Sequence, residues 1–353
     1  MKKNLNDSLW ITLPLFVLGS ALLPVSSRAQ FVYVANALTG GLTGYSIQSN
    51  GSLTLIPGEP FAPGIAPGVV TVDPTGGYVY ASGVALGAYK LGPNGALTSV
   101  PGSPYQLGAY PGSVAVDSRY RFVYVADENA KRIFAFQIRN DGSLRRVPGS
   151  PFAIAEYPGD LAVSVDSHYL YDLSATDSAG ELLVYGILST GALTKVPVST
   201  VATGIDPFAL AVDPQGKFVY VTNYNTLSAY GVGSKGILTS IKGSPFKLGF
   251  EAGPMVIEPV GKFAYIADLS TPLNRIAGYS IGTDGVPMPL RGSPFDVGGT
   301  GLLAIDPQGP FIYMLSGGSL FGVAIASDGS LTALPGSYPV GEMPNDLAIA
   351  PKP

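Results

Sequence analysis

The sequence contains no cysteine, one histidine and one tryptophan among its 353 residues. The absence of cysteine excludes disulfide bonds, thiolate nucleophiles and every metal site that uses sulfur ligands. Zinc sites are built from clusters of histidine and cysteine, so the composition argues against zinc as well. Charged residues make up only 12% of the chain and form no block of lysine and arginine. Nucleic acid is therefore excluded as the main partner, because phosphate neutralisation needs clustered cations.

What the chain has in abundance is small and apolar residues, with 46 Gly, 31 Pro and 46% hydrophobic residues. Such a composition can bury a large core, unlike that of a disordered polar chain. Short apolar runs separated by glycine and proline are typical of many strands joined by tight turns. We therefore expect an all-β protein.

The first 29 residues have the pattern of an export signal. Two lysines precede an apolar stretch over residues 9–23, and small residues lead up to Ala29. A membrane span needs about 20 apolar residues, whereas this stretch is shorter and contains Pro14. We expect cleavage after Ala29, which would leave residues 30–353 as one secreted or periplasmic domain without a membrane span.

A strand-like phrase with a central tyrosine recurs seven times, as in Phe122–Ala126. The spacings lie between 44 and 49 residues, and the tyrosines are Tyr33, Tyr80, Tyr124, Tyr171, Tyr220, Tyr265 and Tyr313. A second phrase, Gly-Ser-Leu-Thr at Gly51 and its variants elsewhere, follows with the same period. Repeats of this length with four strands each are typical of a β-propeller.

Turn signals divide each unit into four strands. Asp-Pro-x-Gly turns such as Asp73–Gly76 join the first strand to the second, and pairs such as Asn50–Gly51 join the third to the fourth. The second strand is apolar at successive positions, so both of its faces must be covered. A ring of antiparallel four-stranded blades, each packed between two others, meets that requirement.

The two ends of the chain indicate how the ring closes. The first unit begins at Phe31 without a leading strand, and Asp346–Ala350 is an extra copy of that strand after the last unit. The C-terminal strand is therefore expected to join the first blade and to complete a seven-bladed β-propeller. We expect a monomer.

The phrase Tyr220–Asn223 and its variants resemble the YVTN-repeat, lactonase-like family of seven-bladed β-propellers, over about residues 30–353. That family includes proteins similar to 6-phosphogluconolactonase, cytoplasmic enzymes that open a sugar lactone. It also includes extracytoplasmic members with surface or binding roles. The resemblance thus implies the propeller fold together with either a lactonase activity or a binding role.

Strand direction divides the loops between two faces. The Asp-Pro and Asn-Gly hairpins lie on one face, and the longer connections lie on the other, which we call the variable-loop face. Variable loops around a central channel are where such folds usually place their sites. The ligand-binding residues predicted there are Asn36, Ser113, Asp127, Tyr157, Asp160, Asn223, Asp268 and Asp346.

For each predicted residue, a structural role is the alternative to ligand binding, and that role differs with the position in the blade. Ser113, Asp160 and Asp346 stand where innermost strands begin, and charge near a narrow axis is costly without water, a cation or a ligand. Those that directly follow a tyrosine strand can instead be turn residues that bond to their own backbone. For the aromatic residues that do not recur regularly, ligand stacking and packing both stay open; these are Tyr110, Tyr157, Phe208 and Phe250.

No complete catalytic set is evident. The Gly-x-Ser-x-Gly pattern at Gly278–Gly282 falls in a strand and not in the strand–turn–helix that this motif requires. A carboxylate with a nearby cation could still hydrolyse a lactone. The weak catalytic candidates are Asp160, Asp346, Arg275 and Lys131.

These observations favour a binding scaffold that uses the variable-loop face for a small molecule, a carbohydrate or an envelope protein. The alternatives are a hydrolase of a sugar lactone and a structural envelope protein. Few cations lie on that face, which disfavours a phosphorylated lactone. No cofactor is predicted, although carboxylates and carbonyls on the axis leave calcium open.

Overall fold

The computed structural model describes residues 30–61, 64–108, 111–117, 119, 121–154, 156–175, 180–194, 197–270 and 275–351. The export signal predicted for residues 1–29 lies outside this range. Within the described part of the chain, no helix is long and apolar enough to cross a membrane.

Seven antiparallel sheets of four main strands make up the fold, as the repeats predicted. From the central channel outward, the strands are β32 (Pro344–Ala350), β1 (Gln30–Asn36), β2 (Gly41–Ile47) and β3 (Leu53–Leu55) in blade 1; β4 (Val69–Val72), β5 (Tyr78–Ser82), β6 (Leu86–Leu91) and β7 (Leu97–Ser99) in blade 2; β8 (Pro111–Val116), β9 (Phe122–Asp127), β10 (Arg132–Ile138) and β11 (Leu144–Arg146) in blade 3; β13 (Asp160–Val163), β14 (Tyr169–Ala175), β15 (Gly180–Gly186) and β16 (Ser199–Ala202) in blade 4; β17 (Pro207–Val212), β18 (Phe218–Asn223), β19 (Thr226–Val232) and β20 (Leu238–Ser240) in blade 5; β22 (Ala252–Ile257), β23 (Phe263–Asp268), β24 (Arg275–Ile281) and β25 (Pro287–Pro289) in blade 6; and β27 (Leu302–Ile305), β28 (Phe311–Ser316), β29 (Ser319–Ile325) and β30 (Leu331–Ala333) in blade 7.

Four two-residue strands pair with the third strand of their blades, beyond the part that the fourth strand covers. They are β12 (Phe152–Ala153) in blade 3, β21 (Phe246–Lys247) in blade 5, β26 (Phe295–Asp296) in blade 6 and β31 (Tyr338–Pro339) in blade 7.

The ring closes through the chain ends, as predicted. Strand β32 pairs antiparallel with β1, in a register that runs from Phe31 opposite Ala350 to Ala35 opposite Asp346. Each of the seven inner strands contacts the inner strands of both neighbouring blades, and β32 contacts β4 and β27. The channel is therefore enclosed on all sides by first strands.

The core is divided among the interfaces between blades. Each of the seven interfaces holds one cluster of buried apolar side chains, contributed by the facing sheets. This arrangement covers both faces of every tyrosine strand, which explains why those strands are apolar at successive positions.

The two recurring phrases meet across these interfaces. The Tyr220 hydroxyl donates a hydrogen bond of 2.8 Å to the Gly285 carbonyl in the next blade, and the same bond is made by Tyr33, Tyr124, Tyr265 and Tyr313. Gly285 has a φ of +79°, and a Cβ there would lie 2.6 Å from the Phe218 ring. The tyrosine phrase and the glycine phrase share one period because a tyrosine of one blade bonds to a glycine of the next. We call this contact between blades the joint.

Candidate functional site

The strand register places one residue of each inner strand at the same height near the variable-loop face. We call these seven residues the mouth ring: Asp346, Val69, Ser113, Asp160, Ala209, Pro254 and Leu302. All seven are partly accessible to solvent. Three are polar, and they are the three innermost candidates that the sequence predicted.

The polar members of the mouth ring make one kind of bond in three blades. The Asp346 carboxylate accepts a hydrogen bond of 2.9 Å from the Val70 amide of the next blade. The Asp160 carboxylate accepts one of 3.0 Å from the Leu210 amide in the same way. The Ser113 hydroxyl accepts one from the next blade at 3.0 Å and donates to Asp160 at 3.1 Å. These side chains therefore tie neighbouring blades together at the channel.

Asp160 and Asp346 belong to blades 4 and 1, which lie on opposite sides of a seven-membered ring. Burial is the main cause that raises the pKa of Asp346 to about 7, and the negative charge of Asp160 adds to it. Burial also raises the pKa of Asp160, although hydrogen bonds from Leu210 and Ser113 oppose the shift. The two carboxylates interact electrostatically across the channel, in a position that water can reach.

A third carboxylate, Asp172, was not predicted as a site residue. It lies in β14 next to the mouth ring, is 0% exposed, and accepts a hydrogen bond of 3.4 Å from the Gly159 amide. Its other carboxylate oxygen has no hydrogen-bond partner. Burial, followed by the charge of Asp160, raises the pKa of Asp172 to about 7.

The repeat alignment contains the signal for this residue. The position of Asp172 is apolar in the other six units, where it holds Val34, Ala81, Val125, Val221, Ile266 and Met314. An aspartate at a position that is apolar in all the other units is therefore a departure from the repeat, and such a departure can be found from the sequence.

None of the three carboxylates has a cationic partner among the described side chains. The two cations predicted from the sequence form ion pairs in the loops around the mouth, which we call the rim. Lys131 pairs with Glu156 at 2.9 Å, and Arg275 pairs with Asp268 at 2.8 Å. In the described residues, no three acidic or histidine side chains come together as metal ligands would.

Four predicted ligand-binding residues lie inside the variable-loop turns and are at most 1% exposed: Asn36, Asp127, Asn223 and Asp268. The Asn36 amide group donates to backbone carbonyls and to the Thr43 hydroxyl of β2. Asp268 accepts from the backbone two residues further on, as a turn residue does, and Asp127 does the same and pairs with Arg132 at 2.6 Å. These contacts hold the ends of the strands and their turns in place.

Tyr157 and Phe208 are exposed on the variable-loop face, by 52% and 48%. Lys131 lies over the Tyr157 ring, with its Nζ 5.3 Å from the ring centroid. Phe208 directly precedes Ala209 of the mouth ring. In five other blades the residue at this position is glycine: Gly68, Gly112, Gly159, Gly253 and Gly301. The register skips one residue between Pro207 and Ala209, so Phe208 is the extra residue of a β-bulge.

Bulges redirect a side chain and are common beside functional sites. The exposure of Phe208 shows that the sequence has placed an aromatic ring at the mouth and not in the core. Tyr224, which is 52% exposed, lies in the adjacent loop, and its amide bonds to the carbonyls of Ile205 and Asp206. Of the other irregular aromatic residues, Phe250 packs against the cluster between blades 5 and 6, and Tyr110 lies outside the described residues.

The connections that lead into the mouth carry backbone strain. Ala66, Asp206 and Met343 have φ values of 45°, 48° and 50°, and each directly precedes a proline. A non-glycine residue in this left-handed region costs about 1–2 kcal/mol. Such strain clusters at functional sites, and here it recurs in three loops around one opening.

An apolar recess of about 600 Å³ lies on the opposite face, between blades 6 and 7, and is lined by Val260, Phe263, Pro307 and Ile325, among others. Its lining comes from hairpins that the repeat specifies.

Fold and mouth together define the protein as a seven-bladed β-propeller with an acidic channel mouth. No protein-family model matches the sequence, and no curated protein is similar to it in sequence. Among solved structures, the periplasmic gluconolactonase of Pseudomonas aeruginosa is similar with a TM-score of 0.75 and 19% identity, over 92% of this chain and 100% of that chain.

Two further structures, both provisionally assigned as 6-phosphogluconolactonases, are similar over most of the chain. The protein from Bacteroides fragilis has a TM-score of 0.75 and 16% identity, over 92% of this chain and 99% of that chain. The protein from Bacteroides uniformis has a TM-score of 0.73 and 16% identity, over 91% and 99%. The lactonase-like propeller fold expected from the sequence is confirmed; identities this low establish the fold alone.

Proposed function

We propose that the protein binds a small ligand at the channel mouth on the variable-loop face. The observation that carries this proposal is Phe208, an exposed aromatic ring on a β-bulge where five other blades have glycine. The half-buried carboxylates of Asp160 and Asp346 lie one residue deeper, so an aromatic surface and hydrogen-bond acceptors converge on one opening. Binding sites typically combine these two features.

The charges at the mouth restrict the class of ligand. Lys131 and Arg275 are held by carboxylates at the rim, so neither is free to neutralise a phosphate. Asp160 and Asp346 would repel an anion. These charges favour a neutral or cationic ligand, and carbohydrates fit because their ring faces stack on aromatic side chains while their hydroxyls donate to carboxylates.

Ligand titrations followed by thermal shift and by NMR test this proposal, since a ligand that binds only the folded state raises its melting temperature. The panel contains neutral sugars, amino sugars and sugar phosphates. Phe208→Ala should abolish binding. Met288→Ala is the matched control, because Met288 is 56% exposed on an outer strand away from the mouth. Unchanged binding by Phe208→Ala would refute the proposed site.

Hydrolysis of a sugar lactone is the second candidate function, and the pKa of Asp346 favours it. A general base works best when its pKa lies near the working pH, and the pKa of Asp346 is raised to about 7. The Asp346 carboxylate would take a proton from the water molecule that attacks the lactone carbonyl. Similarity of fold to a gluconolactonase supports testing this reaction first.

The enzymatic candidate is tested with gluconolactone in a pH-stat. The rate should rise as the pH passes through about 7, where Asp346 ionises, and Asp346→Asn should abolish it. A folded Asp346→Asn protein that hydrolyses the lactone at the wild-type rate would exclude this residue as the base.

We further propose that the protein is exported, on the basis of the signal pattern in residues 1–29. A periplasmic protein has the same fold, which supports this proposal. N-terminal sequencing of the protein recovered from expressing cells should give Gln30 as the first residue. Recovery of protein that still begins at Met1 would contradict export by cleavage.

A further inference from the structure

The acidic side chains at and beside the channel mouth have no cationic partners in the described part of the chain. Asp160, Asp172 and Asp346 make no ion pair with any described lysine, arginine or histidine. Their hydrogen-bond partners are backbone amides and the Ser113 hydroxyl. Buried charge without compensation is costly, so this arrangement favours a cation at the mouth.

Asp172 independently indicates that a positive charge near Asp160 would be favourable. It is 0% exposed, and one carboxylate oxygen makes no hydrogen bond. An unpaired buried acceptor costs about 1–3 kcal/mol, and more when it is charged. Asp172 lies close enough to Asp160 for the two charges to interact. A positive charge beside Asp160 would therefore act on both residues.

The rim extends the same charge outward. Asp206 and Glu342 are exposed in the connections that lead into β17 and β32, and neither pairs with a cation among the described residues. A cleft lined by one sign of charge concentrates ligands of the opposite sign. Phe208 adds an aromatic face, which also attracts organic cations.

A metal ion fits these residues less well than an organic cation does. No three acidic or histidine side chains of the described chain are grouped as metal ligands, and Asp160 and Asp346 stand on opposite walls. An ammonium group carries three N–H donors, which can be shared between two carboxylates and water. Its organic part would lie against Phe208.

We propose that the mouth selects a ligand with a primary ammonium group, which lies between the Asp160 and Asp346 carboxylates while the body of the ligand packs on Phe208. This inference rests on the proposed binding function and names its ligand class.

Isothermal titration with D-glucosamine and D-glucose tests the ammonium group, since the two probes differ only by an ammonium in place of a hydroxyl. Glucosamine should bind at least about tenfold more tightly, a difference of about 1.4 kcal/mol. Asp346→Asn should remove this preference, whereas Phe208→Ala should abolish the binding of both probes. Asp328→Asn, on the opposite face, is the matched control and should change neither.

A second variant keeps the test decisive if Asp346→Asn fails to fold. Asp206→Asn alters only an exposed rim carboxylate, and it should weaken glucosamine binding about twofold to threefold at low ionic strength, with the difference lost at high salt. Equal affinity for the two sugars would overturn the ammonium inference and leave the proposed binding site standing. Loss of glucosamine binding on addition of Ca²⁺, in wild type but not in Asp346→Asn, would overturn it in favour of a metal site.

Discussion

The buried carboxylate of Asp172 makes a quantitative prediction about stability and pH. Replacement by Asn keeps the shape and the acceptor for the Gly159 amide but removes the charge. The pKa of Asp172 rises from 3.8 to about 7 on folding. Because the folded-state value is the higher one, the folded protein retains the extra proton, and stability falls as the pH rises from about 4 through 7.

The magnitude follows from the size of the shift. Each pKa unit corresponds to about 1.36 kcal/mol, so the raised pKa of Asp172 lowers the stability of the fold by about 4 kcal/mol at pH 8.5 and by only about 1 kcal/mol at pH 4.5. Asp172→Asn should therefore stabilise the protein by about 3 kcal/mol more at the higher pH.

Urea unfolding at a series of pH values measures this difference. Asp328→Asn is the control, because the pKa of Asp328 is lowered by hydrogen bonds from Ser330 and its replacement should not stabilise the protein at high pH. A gain for Asp172→Asn that is the same at pH 4.5 and pH 8.5 would refute the account of a buried, unpaired charge.

Three further substitutions test how the ring is held together, each measured by urea unfolding. Tyr220→Phe removes the bond to the next blade and should cost about 0.5–1.5 kcal/mol, whereas Tyr80→Phe should cost nothing, because the Tyr80 hydroxyl has no hydrogen-bond partner; equal costs would contradict the role of the joint. Leu347→Ala, in the closing strand and 6% exposed, should cost about 2–5 kcal/mol, and a loss below 1 kcal/mol would contradict its place in the core. Gly191→Ala should cost more than about 1–2 kcal/mol, because φ is +83° and a Cβ would lie 2.4 Å from the Phe122 ring; a neutral result would show that the joint can adapt.

The architecture was accessible from the sequence because each blade is made by short-range pairing. Hairpins such as that at Asn50–Gly51 join strands that are neighbours in the chain, and the period counts the blades directly. Even the closing strand could be predicted, since Asp346–Ala350 is a surplus copy of the strand that the first unit lacks. No long-range pairing other than this one had to be inferred.

The chemical state of the candidate residues was decided by tertiary structure. Asp127 and Asp268 follow a tyrosine strand and Asp160 begins an innermost strand, so the sequence separates their positions but does not show which charges they meet. In the fold, Asp127 and Asp268 meet arginines and close their turns, whereas Asp160 faces Asp346 across the channel without a cation. Solvent access and the sign of the nearest charge depend on neighbours from other blades, which spacing along the chain does not contain.

Residues that depart from the repeat could be found in the sequence, but their surroundings could not. Asp172 in an apolar strand position and Phe208 in a glycine position are visible once the seven units are aligned. By itself, the sequence determined the ring, since local turns and the apolar period leave one way to cover every sheet. Only the tertiary structure decided that Phe208 is exposed at the channel mouth and that Asp172 lies buried beside Asp160, because the bulge in β17 and the packing of neighbouring blades set which side chain meets water and which meets another charge.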